Sequence, residues 1–167
     1  YELSASQSAT LGPKKIQGNL TLQNFAQLTV AGTLWVTGDM YVSNSSQVRL
    51  GASYGTLGGV VVSDGKVTLQ NNSISAGSGQ QGSYLMYLST SVLPIAIEVK
   101  NNVIAEVLYA SQGGVTVENS LQLREVVGQS VHLKNSAAII YEIGLQNATF
   151  VSGPVGGWKV SSWKEVE

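Results

Sequence analysis

One five-residue phrase (apolar, any, apolar, any, Asn) recurs six times in this chain and limits its fold more than any other feature. It reads Leu20-Thr21-Leu22-Gln23-Asn24, Met40-Tyr41-Val42-Ser43-Asn44 and Val67-Thr68-Leu69-Gln70-Asn71 in the first half. Ile97-Glu98-Val99-Lys100-Asn101, Val115-Thr116-Val117-Glu118-Asn119 and Val131-His132-Leu133-Lys134-Asn135 follow in the second. The asparagines are separated by 20, 27, 30, 18 and 16 positions, the size of one turn of a solenoid. A hairpin protein has no reason to return Asn to one place. Before most of the phrases come a second alternating stretch and a Gly-marked bend, as in Leu34-Trp35-Val36-Thr37-Gly38 and Val60-Val61-Val62-Ser63-Asp64-Gly65. The pattern predicts an all-β fold, a single-stranded parallel β-helix (β-solenoid) of about six coils, right-handed in winding, with no helix. Each coil reads as apolar strand, bend, apolar strand and Asn corner.

Stacked coils align equivalent residues into columns about 4.8 Å apart. Asn24, Asn44, Asn71, Asn101, Asn119 and Asn135 are expected to form a structural column. Each side-chain amide carries two donors and an acceptor for the next Asn and for the turn backbone. The expected column lies inside the corner, where an apolar residue would leave main-chain groups unpaired. Outside it, Lys100, Glu118 and Lys134 alternate in sign along a second column. The longer intervals hold glycine-rich insertions near residues 51–59 and 77–94, which are expected to loop out of the stack.

Residues 1–15 are small, polar and aperiodic at their start, and read as a flexible lead-in. Residues 16–167 then form a single domain, because dividing 167 residues would leave pieces of marginal core size. The closing stretch abandons the Asn phrase, so residues 144–167, with Trp158 and Trp163, read as a cap over the last coil. Tyr1 is not a natural start, and a preceding segment is expected.

Composition bounds the partners. Charged residues make up 11% of the chain, the net charge is −1, and the nine Lys and Arg are scattered singly, so nucleic acid is not an expected partner. Without cysteine there are no disulfides or thiolate metal sites. No apolar run is long enough to cross a bilayer, so no membrane contact by these residues themselves is expected.

Catalysis on a parallel β-helix needs carboxylates clustered on one outward face. Asp39 and Asp64 lie at similar bends of successive coils and could stack, yet Asp beside Gly is an ordinary turn residue. His132, the one histidine, points outward between Val131 and Leu133 and has no second member for a metal site or a relay. Gly77-Ser78-Gly79-Gln80-Gln81-Gly82 lacks the Lys and the following helix of a phosphate cradle. No catalytic residue, metal or cofactor is expected. Tyr41, Tyr54, Tyr84 and Tyr87, with Asp39 and Asp64, are the candidate ligand contacts if the chain binds carbohydrate.

Residues 16–167 resemble the β-solenoid ectodomain of poorly characterised, pilin-like, membrane-anchored pilus-assembly-type surface proteins of uncultivated small-genome bacteria. The resemblance is carried by Thr33-Leu34-Trp35-Val36-Thr37-Gly38, Ser53-Tyr54-Gly55-Thr56-Leu57-Gly58-Gly59, Gly77-Ser78-Gly79-Gln80-Gln81-Gly82-Ser83-Tyr84 and Gly144-Leu145-Gln146-Asn147. Phe150-Val151-Ser152-Gly153-Pro154-Val155-Gly156-Gly157-Trp158 and Ser162-Trp163-Lys164-Glu165 complete it. It implies an extracellular, cell-surface domain following a pilin-like hydrophobic segment, and brings no catalytic residues. The expected function is a non-catalytic structural or adhesive module, with other surface or pilus subunits or cell-surface glycans as partners. A carbohydrate-binding or polysaccharide-cleaving β-helix and a self-assembling scaffold are the alternatives.

Overall fold

The computed structural model describes residues 1–119 and 122–151. The chain winds as a parallel solenoid in which each strand pairs with its equivalent one coil away. The face carrying the repeated phrase has rungs at Glu2–Leu3, Leu20–Leu22, Met40–Val42, Val67–Gln70 and Ile97–Lys100, and then in the long strands Val107–Glu118 and Glu125–Lys134. Along it Leu3, Leu22, Val42, Leu69, Val99 and Val117 stack as one inward column, all buried. The alternation of apolar and polar residues sends every second side chain into this core.

Each coil has a third side that the phrase does not reveal. After the Asn corner come Ser8–Leu11, Gln27–Val30, Gln47–Leu50 and Ile74–Ala76, which pair as a separate four-stranded sheet. The other face runs through Lys14–Ile16, Leu34–Val36, Gly58–Ser63 and Leu85–Ser89. It merges with the phrase-bearing face in Val107–Glu118, a single strand whose pairing shifts register at the bend between Ala110 and Gly114. The strand after each Asn escapes the sequence reading because no Gly or Pro marks its start.

What marks it instead is backbone geometry. Every described corner places two successive residues in the left-handed region: Asn24 and Phe25 at φ 57° and 65°, Asn44 and Ser45 at 53° and 60°, Asn71 and Asn72 at 53° and 61°, Asn101 and Asn102 at 63° and 60°. Asn is among the few residues that take this conformation readily. The side chains then form a ladder. Asn44 Nδ2 donates to Asn24 Oδ1 at 3.0 Å, Asn71 to Asn44 at 3.1 Å, Asn101 to Asn71 at 2.9 Å and Asn119 to Asn101 at 2.8 Å. Asn135 takes the same conformation one coil further on, at φ 52°.

The column differs from expectation in one respect: it stands on the outside of the corner, where Asn24, Asn44 and Asn101 are exposed. The corner carbonyls are bonded by backbone. Phe25 N–H donates to Asn44 O at 3.0 Å, Ser45 to Asn71 at 2.9 Å and Asn72 to Asn101 at 2.9 Å. Asn therefore suits these corners for its left-handed backbone and its outer ladder, and not to satisfy buried main chain.

The lead-in expected over residues 1–15 is instead most of the first coil. Glu2–Leu3, Ser8–Leu11 and Lys14–Ile16 supply its three sides, and Ala5 and Ser6 make the left-handed corner at φ 50° and 63°. Ser4 Oγ accepts from Asn24 Nδ2 at 3.3 Å and starts the ladder.

At the other end, Trp158 and Trp163 lie outside the described residues. The described part of the expected cap turns back along the rod instead of crossing its end: Phe150–Val151 pairs with Gly58 and Gly59, and Leu145 packs with Tyr84 and Val107. The cause is a free edge, since Leu34–Val36 begins pairing only at Val61. Gly58 N–H is satisfied by Thr149 O at 2.8 Å.

Candidate functional site

The residue five positions after an Asn falls on the outside of the third side, the four-stranded sheet. Thr29, Arg49 and Ala76 are in register there, and Ile74 faces Ile104, which brings Glu106 next to Ala76. Arg124 follows five residues after Asn119, and its N–H donates to Glu106 O at 3.1 Å. Glu142 lies a further 18 residues on, and its carboxylate contacts the Arg124 guanidinium. Arg49, Ala76, Glu106 and Arg124 thus line the rod on successive coils; Ile140 holds the next position in register and Glu142 reaches Arg124 from two residues beyond it. The alanine is too short to fill its step in this column, and a trough opens at that point.

Two hollows meet there, of about 540 and 340 Å³, sharing Ala76, Glu106, Arg124 and Glu142 as walls. Ile104, Ile140 and Tyr141 give the larger one an apolar rim, exposed by 45%, 62% and 55%. The smaller is framed by residues 77–84 and Tyr84, over whose ring the Arg124 guanidinium sits at 5.5 Å.

Glu106 is the buried charge of the site, 8% exposed. Its Oε2 accepts from Leu85 N–H at 2.7 Å, and Arg124 Nε lies 4.0 Å from Oε1. Burial raises its pKa above the usual 4.5, against the lowering effects of the Leu85 N–H, Arg124, the Gly77 N–H and Arg49. The two N–H groups come from opposite ends of the 77–84 loop, so Glu106 staples that loop to the rod.

Glu98 is its opposite. Hydrogen bonding to Lys66 at 2.7 Å, aided by Lys100 at 3.3 Å, lowers its pKa despite partial burial. The two carboxylates make pH dependences of opposite sign. The stabilisation from Glu98 is present above about pH 4.5 and is lost as pH falls through its lowered folded pKa. Glu106, whose folded pKa is raised, stabilises most below about 4.5, and this is lost as pH rises through the folded value. Urea melts from about pH 3 to 7 should show Glu98→Gln removing part of the acid-side loss. Glu106→Gln should flatten the decline above about 4.5.

The sequence-derived contacts are dispersed. Tyr54 and Tyr87 are 1% and 0% exposed, and Tyr87 Oη is hydrogen-bonded to Ser75 Oγ at 2.7 Å in the core. Both are packing residues that no ligand reaches, because each lies at an inward position. Tyr84 is 3% exposed and shows the smaller hollow only part of its surface. Tyr41 stays on the outer face, its hydroxyl accepting from Gln70 Nε2.

Asp39 and Asp64 do not stack. Asp39 Oδ1 accepts from Lys66 N–H at 2.8 Å, whereas Asp64 accepts from Trp35 Nε1 at 2.8 Å and Thr90 Oγ1 at 3.1 Å. Asp39 follows its glycine and Asp64 precedes its own, so they occupy different columns. Glu118 pairs with Lys134 at 3.1 Å as the alternation suggests, while Lys100 turns to Glu98 within its own strand. Among the described residues no cluster of three or more potential metal ligands occurs.

Glu106, Arg124 and Glu142 were missed because each sits outside the Asn phrase. Counting five residues on from each Asn finds the first two. Comparisons with protein-family models, curated proteins and solved structures find no match to this chain.

Proposed function

We propose that this chain is a non-catalytic extracellular module, a stiff rod carried by a pilus-like or membrane-anchored surface protein as spacer or adhesive surface. The observation that supports this reading most is the unbroken side-chain ladder from Ser4 to Asn119, which couples each coil to the next. Such coupling stiffens a rod along its length and does nothing for a reaction.

One observation favours a second reading, a polysaccharide-cleaving β-helix: Glu106 and Glu142 flank Arg124 in an open trough. Against it, Glu106 already accepts the Leu85 N–H and lies beneath the 77–84 loop. Against self-assembly through the first coil stands Lys14, which continues the inward column of Leu34, Val61, Tyr87 and Leu108. A charge at that place discourages another coil from stacking on it.

The test has two parts. Incubation with soluble polysaccharides should release no new reducing ends, and sustained release would replace the module reading with an enzyme. Protease treatment of intact cells making the full-length protein should remove this domain, and full protection would refute surface display.

A further inference from the structure

We infer that the trough along the third side is a binding site for a neutral polysaccharide chain laid lengthwise on the rod. The inference rests on the proposed adhesive role and gives it a place and a ligand class.

The backbone around the trough leaves little room for a peptide strand. Ile104 N–H and O are bonded to Ser73 O at 3.1 Å and Ser75 N at 2.8 Å, Leu123 O accepts from Ile140 N at 2.7 Å, and Glu106 O accepts from Arg124 and Glu125 N at 3.1 Å. Peptide recognition by strand addition needs free main-chain donors and acceptors. Recognition therefore falls to side chains.

The charges of those side chains are balanced. Arg124 contacts Glu142 and lies near Glu106, and Arg49 acts on the same Glu106 carboxylate. An anionic polymer would find both arginines already balanced by these two carboxylates, so it gains no net attraction. A neutral polyol suits this arrangement, because its hydroxyls can donate to the Glu142 carboxylate and accept from the guanidinium groups. The exposed ring of Tyr141, with Ile104 and Ile140, offers an apolar surface for the C–H faces of sugar rings. Gln80 and Gln81 add exposed amides at the rim of the smaller hollow.

The repeat also fits. Equivalent positions recur about every 4.8 Å along the rod, close to the length of one pyranose in an extended chain. The volume of the larger hollow, about 540 Å³, lies within the range of ordinary ligand sites.

The experiment is affinity electrophoresis of the full chain in gels containing laminarin, xyloglucan, galactomannan or dextran, with polygalacturonate and heparin as anionic probes. Tyr141→Ala and Ala76→Leu are the variants, since one removes the exposed ring and the other fills the alanine step without touching a charge. The expected result is retardation by at least one neutral polymer, weakened about tenfold or more by each variant, with thermal melting unchanged. Tyr141→Ala decides the matter if Ala76→Leu alters the fold. Retardation by no neutral polymer, by the anionic polymers alone, or equally in wild type and Tyr141→Ala would overturn the inference. Retardation with release of reducing ends would sustain the site and refute the non-catalytic reading, so the two fail separately.

Discussion

Leu69→Ala is expected to cost about 3 to 4 kcal/mol, in the range for a large buried side chain that leaves a cavity. Leu69 is fully buried between Val42 and Val99 on the neighbouring coils. Both neighbours are β-branched and fixed in their own rungs, so neither can swing into the space. For a chain of this length the melting temperature should fall by about 10 °C, read by circular dichroism. Thr68, the next residue, points outward, and Thr68→Ala should stay within about 0.5 kcal/mol. Similar losses at the two positions would mean that the strand is not alternating between core and surface.

Asn101→Leu should be the most damaging change on the outside of the rod, at about 2 to 3 kcal/mol. The backbone at φ 63° costs a leucine about 1 to 2 kcal/mol. Two ladder bonds, at 2.9 Å to Asn71 and 2.8 Å from Asn119, contribute the rest. Asn101→Gly keeps the left-handed backbone and loses only the ladder, so it should cost about 1 kcal/mol. Chemical denaturation of the three proteins separates the two causes. A leucine variant no worse than the glycine variant would show that the corner conformation is not what selects Asn.

The Asn recurrence made the parallel winding legible because an amide and a left-handed corner coincide at one point of every coil from Asn24 onward. The same reading placed the amides inside, since it did not foresee that Ser45 and Asn72 N–H groups would satisfy the corner carbonyls. Residues 1–15 carry no Asn phrase, because Ser4, Ala5 and Ser6 make their corner, so their coil is not legible from the repeat. Tyr54 and Tyr87 are candidate sugar contacts by residue type alone, which does not show that both are buried or that Ser75 gives the Tyr87 hydroxyl a partner in the core. The trough was hidden for another reason. It depends on what Ala76 lacks beside Arg49 and Glu106, and a missing side chain leaves no motif.

The ladder itself is tested most directly by a double-mutant cycle on Asn71 and Asn101, each replaced by Gly, with stability measured in urea. The two side chains are hydrogen-bonded at 2.9 Å, so a coupling of about 0.5 to 1 kcal/mol is predicted. The same cycle on Asn44 and Asn101, which are not adjacent in the column, should give a value near zero. Equal coupling in the two pairs, or none in either, would contradict a ladder that ties each coil to the next.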